Sequence, residues 1–181
     1  MAEATAGLHG RLMNRRSIFT LALLASGIAA AQVPTSPSSL PDYSRYTHLR
    51  TTPVEKGTQL LVVYANEQAA SVTEREGRPY PHGSVFIAEW RQAVPGADGA
   101  LAPGALIQVD LMRRGPGFGA AYGESRAGEW QFARYRADGA PLVSEDRAES
   151  CAACHRNAGA ERDFVFAGRF PVPAQGSMGG E

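Results

Sequence analysis

At 181 residues the chain is long enough for one ordinary domain with its own core and short for two. Its 18 basic and 18 acidic residues cancel, so no strong field invites nucleic acid or an anionic membrane surface. Every basic residue except Lys56 is an arginine, and the two cysteines, Cys151 and Cys154, stand three positions apart.

Residues Asn14 to Gln32, "NRRSIFTLALLASGIAAAQ", carry two arginines, an apolar run from Ile18 to Leu24, and small residues through Ala31. That layout predicts a signal peptide over 1–31, cleaved after Ala31. Arg15 and Arg16 before Ser17 resemble a twin-arginine signal, and ordinary secretory export stays open. The run is shorter than the roughly 20 residues of a membrane-spanning helix. Cleavage removes Arg11, Arg15, Arg16 and Glu3, which leaves a mildly acidic protein, periplasmic and free of the membrane. Residues 32–41, rich in proline and serine, read as a flexible leader, with a domain over 42–173 and a flexible tail over 174–181.

Within the domain, "TQLLVVYAN" (Thr58 to Asn66) predicts a strand buried on both faces, after which Asn66 caps a helix through "EQAASVTERE" to Gly77. A His82-Gly83 turn leads into a strand from Ser84 to Arg91, with Phe86, Ala88 and Trp90 on one face and Val85, Ile87 and Glu89 on the other. "VPGADGALAPGA" reads as turn chemistry throughout. Further strands follow in "LIQVDLMRR", where Ile107, Val109 and Leu111 share a face, and in "EWQFARYR", which turns at Asp138-Gly139. Ser144 then caps a helix that carries both cysteines and ends near Gly159, with Glu145 and Asp146 in its first turn. Strands joined by turns, with an early and a late helix, predict an α+β fold with a mainly antiparallel sheet.

Cys151-Ala152-Ala153-Cys154-His155 matches the C-x-x-C-H haem-attachment motif. Two thiols one helical turn apart suit the two vinyl groups of a haem, and the adjacent imidazole suits its iron. Three other readings fit less well. A thioredoxin-like dithiol belongs to a βαβ pattern, which is not seen here, and a structural zinc site needs four ligands. A plain disulfide needs only an oxidising compartment. Export and haem attachment agree, since c-type haem is attached outside the cytoplasm.

Four stretches, "YPHGSVFIAEW", "LMRRGPGFG", "GEWQFARYRADGAPL" and "CAACHRNAGAERDFVFAGRFPV", resemble in order and spacing the cytochrome P460 and cytochrome c′-beta family, over Tyr43 to Val172. The resemblance implies a periplasmic c-type cytochrome, usually a homodimer, with a largely antiparallel sheet and one five-coordinate haem. Cys151 and Cys154 would form its thioethers and His155 would ligate its iron. Hydroxylamine-oxidising members have a lysine, bonded to the porphyrin, directly before the glutamate of the strand that corresponds to "VFIAEW"; here that position is Ala88, before Glu89. Lys56 lies in another segment. The departure turns the expectation from hydroxylamine oxidation to binding nitric oxide or a related small nitrogen-oxide ligand.

If Ala88 faces the haem, alternation turns Phe86 and Trp90 towards it as an apolar wall, the alternative being an ordinary core. Arg113 and Arg114 suit haem propionates, and Asp146 is a candidate proton-handling carboxylate. Met112, Met178, His48 and His82 are candidate sixth ligands; a strong one would make the protein an electron carrier with a periplasmic redox partner. Three functions therefore stand side by side: a ligand-binding cytochrome, an oxidoreductase acting on hydroxylamine or nitric oxide, and a plain electron-transfer cytochrome.

Overall fold

Among the described residues, six strands follow one another in a single antiparallel meander, each hydrogen-bonded to the next in sequence order. They are β1 (Thr47–Val54), β2 (Gln59–Ala65), β3 (Val85–Pro95), β4 (Leu101–Arg114), β5 (Trp130–Arg136) and β6 (Pro141–Val143). The α-helices among the described residues are α1 (Glu67–Ala70), between β2 and β3, and α2 (Glu149–Arg156), after the sheet. Hence the fold is α+β and mainly antiparallel, as the sequence predicts. The computed structural model describes residues 40–72 and 79–166, all within one compact unit, Val33–Glu181. The expected signal segment, most of the leader, the far end of the first predicted helix, and the tail with Met178 lie outside the described residues. No described helix is long and apolar enough to cross a membrane.

Each central strand buries residues on both of its faces. Val63 and Ala65, Phe86, Met112, Trp130 and Phe132 form one cluster with Ala148 and Ala152 of the α2 region. Ile87, Val109, Leu111, Ala133 and Tyr135 form another with Tyr43, Tyr46 and Tyr64. The period of two along each strand sorts side chains between these clusters, as alternation in "SVFIAEWR" predicts. Trp130 is fully buried against Tyr80 and Phe86, with ring centroids 5.5 and 5.9 Å away. Burying an aromatic side chain of this size contributes about 2–3 kcal/mol.

Several joints behave as their residues dictate. Asn66 Oδ1 accepts from the Ala69 and Val85 amides, and its Nδ2 donates to the Gly83 carbonyl, so one side chain caps α1 and ties it to β3. Gly83 and Gly139 take the positive φ their turns need.

Other expectations are corrected. The region read as turn throughout is a hairpin: β3 runs on to Pro95 and β4 begins at Leu101, with Ala93, Val94 and Pro95 opposite Pro103, Ala102 and Leu101. Pairing to a partner strand overrides the local turn signal, and irregular register near Arg91 absorbs the disruption. Helix α1 has only four residues before its cap at Ser71. Strands β1 and β6 carry little apolar periodicity, because both are edge strands with exposed side chains. Ile107 does not join Val109 and Leu111 in the core but is exposed, beside the bulge.

Candidate haem site

The segment after β6 enters its helix in two steps. A 3-10 turn over Glu145–Arg147 precedes the α-helical stretch, with the break at Ala148, and Ser144 precedes the 3-10 turn rather than the α-helix itself. Ala148 and Ala152, four apart on one face, are fully buried against Tyr122 and Phe132 of the sheet cluster. Small side chains there let the helix backbone approach the aromatic surface. The same spacing leaves Cys151 half-buried at the edge of the cluster and Cys154 exposed one turn later, both as free thiols. The helix stops before Gly159, whose φ of +85° suits glycine; a β-carbon there would collide with the Glu161 carboxylate.

His155 follows directly. Its Nδ1–H donates to the Phe164 carbonyl at 2.9 Å, and its ring lies 4.7 Å from Phe132 and 5.1 Å from Phe166, centroid to centroid. Burial pushes its pKa below the ordinary imidazole value, against the opposing pull of the Phe164 bond and the Asp110 charge. The ring is therefore neutral near neutral pH. Its proton sits on Nδ1 and its Nε2 lone pair is left for a metal. Burial also raises the Cys151 thiol, the reverse of the activated thiolate in a redox dithiol. Among the described residues no three or more His, Cys, Asp or Glu side chains cluster as a metal cage. Two thiols and one oriented imidazole thus fit a porphyrin iron, which brings four of its own nitrogens, better than a bare ion.

Strand pairing sets the surroundings. Val63, Ala88, Asp110, Arg134 and Val143 lie opposite one another on consecutive strands and so share one sheet face. Asp110 accepts from Arg134 Nε at 2.6 Å, from Arg134 Nη2 at 2.8 Å and from Trp90 Nε1 at 2.9 Å. Asp110 and Arg134 both act electrostatically on Cys151, and Asp110 also on His155, so this ion pair belongs to the neighbourhood of the motif. The wall expected to be apolar therefore carries a charged pair beside Ala88. Neither residue was found by sequence reasoning. The readable signal was a lone aspartate inside the apolar run "LIQVDLM".

The remaining predicted site residues are spread out. Phe86 is buried among Tyr80 and Trp130, whereas Trp90 is partly exposed and holds Asp110. Arg113 shares the opposite sheet face with Val85 and Gln131: it donates to Gln131 at 2.9 Å, lies 3.7 Å from the buried Glu145 carboxylate and covers the Phe118 ring. Arg114 is tied to Asp163, Glu129 and the Tyr80 carbonyl. Asp146 is exposed, its carboxyl held below the usual range chiefly by the Ser144 hydroxyl, while its neighbour Glu145 is the buried one. Of the candidate sixth ligands, His48 faces Thr51 and Tyr64, His82 donates to Glu129 at 2.7 Å, and Met112 is buried between Phe86 and Phe132. Lys56 is exposed in the β1–β2 turn. Val63, the partner of Ala88, stands four positions along the strand from Gln59 at that turn, roughly 13 Å at ~3.3 Å per residue.

The cytochrome P460 family model matches residues 40–167, most of the chain and all of the site just described. The chain belongs to the cytochrome P460 family. No curated protein matches it. Cytochrome P460 membership implies binding of haem c, and this agrees with the donor set of α2. In this cytochrome P460 chain the residue before the strand glutamate is an alanine, half-buried, with Asp110 opposite it.

Proposed function

We propose that this protein is an exported c-type cytochrome whose single haem is attached through Cys151 and Cys154, with His155 Nε2 on the iron and a nitrogen-oxide ligand such as nitric oxide on the other side. The observation that carries this reading is the Nδ1–H bond to Phe164, which leaves Nε2 free one residue after two thiols spaced by a helical turn. Haem c, when bound, supplies an iron that takes a small ligand and changes oxidation state.

The chain's own residues do the rest. Phe132 and Phe166 flank the imidazole, while the Phe164 carbonyl holds its proton and its tilt. Arg134 holds Asp110 in place through two hydrogen bonds, so that an acceptor oxygen stands beside Ala88. Five-coordination is favoured because His48 and His82 are engaged elsewhere. Periplasmic residence, a redox partner and a homodimer belong to the same reading, resting on the signal-like amino terminus and the family resemblance.

A second reading, oxidation of hydroxylamine or nitric oxide, draws support from Asp110, a carboxylate on the same sheet face as Ala88 that could accept a proton. Optical spectra of the purified holoprotein in ferric, ferrous and nitric-oxide-treated forms separate the readings. A high-spin resting iron that binds the gas supports the proposal. A low-spin spectrum unchanged by the gas overturns it in favour of electron transfer, and turnover of hydroxylamine with electron release supports the oxidase.

A further inference from the structure

Asp163 and Phe164 both adopt positive φ, at +48° and +60°, although neither is glycine. Two consecutive left-handed residues with side chains are unfavourable and persist only where their surroundings hold them. Here the clamp is visible. Asp163 Oδ2 accepts the Tyr80 amide at 2.8 Å and pairs with Arg114 Nε at 3.1 Å. The Asp163 carbonyl accepts the Trp130 indole N–H at 2.7 Å, and the Phe164 amide donates back to the Gly159 carbonyl at 2.9 Å. Arg114 is itself fixed, since Nη1 donates to the Tyr80 carbonyl at 2.7 Å and its backbone pairs with Gly83 and Ser84. Gly128 leaves room for the Phe164 ring: a β-carbon on it would stand 3.0 Å from that ring. The product of this bracing is the direction of one carbonyl, that of Phe164, which takes the His155 Nδ1–H.

We propose that Asp163, braced by Arg114, is the positioning residue for the iron-binding imidazole. It locks the left-handed turn that aims the Phe164 carbonyl at Nδ1 and thereby sets how strongly His155 donates to the iron. The proposal rests on the reading that His155 ligates haem iron. A hydrogen bond to the far nitrogen makes an imidazole more basic, and a more basic ligand favours ferric over ferrous iron; outer partners of this kind change metal affinity by about 10–100-fold. Asp163 bonds to Tyr80, Arg114 and Trp130 rather than to His155, so its effect must pass through the turn.

The test compares Asp163→Ala and Asp163→Asn in the full-length holoprotein by reduction potential and by the iron–histidine stretching band of the ferrous form. Asparagine tolerates the left-handed region and keeps an acceptor oxygen, whereas alanine does neither. The expected result is a lower stretching frequency and about a tenfold loss of ferric preference for Asp163→Ala, a rise of ~59 mV for one electron, with haem still covalently bound. Asp163→Asn stays near wild type. Equal shifts in both variants would mean that the carboxylate charge acts rather than the turn, and would overturn the proposal, as would a folded Asp163→Ala protein with unchanged potential and stretch. If Asp163→Ala does not fold, Arg114→Lys, which keeps the charge but loses the fork, must move both readouts in the same direction; no movement overturns the proposal. A wild-type protein that binds haem without any iron–histidine band refutes the ligation reading itself, a failure distinct from insensitivity of a band that is present.

Discussion

Asp110 and Arg134 face each other across β4 and β5 as a two-pronged ion pair, at 2.6 and 2.8 Å, with the Trp90 indole donating to the same carboxylate from β3. Three strands thus converge on one charge beside Ala88. Both partners remain about a third exposed, which limits the stabilisation from the pair itself. Removing Arg134 as Arg134→Ala is expected to lower unfolding free energy by about 1 kcal/mol, read from urea denaturation. In the holoprotein the same variant is expected to change ligand-binding rates more than stability alone accounts for, because Asp110 loses its anchor. Unchanged nitric oxide kinetics would separate the pair from the site.

The thiols differ in setting, Cys151 half-buried against the helix-sheet cluster and Cys154 exposed. The double variant Cys151→Ser, Cys154→Ser is expected to lose all covalent haem. Each single variant is expected to retain one thioether, with a pyridine haemochrome band intermediate between two-link and unlinked haem. Acid-stable haem in the double variant would contradict the assigned attachment.

By the family resemblance, Ala88 corresponds to the porphyrin-linked lysine of hydroxylamine-oxidising members; it lies opposite Val63 on one side and Asp110 on the other. Ala88→Lys is expected to red-shift the ferrous absorption and to add a further covalent link between porphyrin and chain, read by mass spectrometry of the haem-bearing peptides. If the variant keeps the parental spectrum, and proteolysis releases the peptide with the introduced lysine free of haem, then the haem edge lies away from this strand.

Glu89 is buried on the opposite face. Burial pushes its pKa up, but donation by Arg91 at 2.7 Å and by Tyr43 at 2.7 Å outweighs this and leaves it below the ordinary carboxylate value. A carboxylate with a depressed folded-state pKa adds stability that is full above its unfolded pKa, about 4.3, and is lost as pH falls through the folded value. Glu89→Gln is expected to cost ~2 kcal/mol at pH 7 by leaving Arg91 without its carboxylate, and the cost should shrink below about pH 4. Thermal unfolding at neutral and acid pH measures the difference. An equal cost at both would show that Glu89 acts through shape and not through charge.

Much of this protein could be read before any coordinate. The spacing of Cys151, Cys154 and His155 is a local property of one helix, and alternation in "SVFIAEWR" sorts Phe86 and Ala88 from Val85 and Ile87 because strand geometry fixes the period. Asn66 and Asp138-Gly139 announce their cap and turn for the same reason: the deciding atoms are a few residues apart. Pairing across the sheet is another matter. That Asp110 stands beside Ala88, that Arg134 grips it, that Arg113 turns to the other face, and that the Phe164 carbonyl meets the His155 proton all depend on register and on loop closure between distant segments. Local preference carries no information about which strand lies opposite, because that choice is made by the burial of both faces at once, and so the motif was legible in the sequence while its surroundings were decided only when the sheet closed over them.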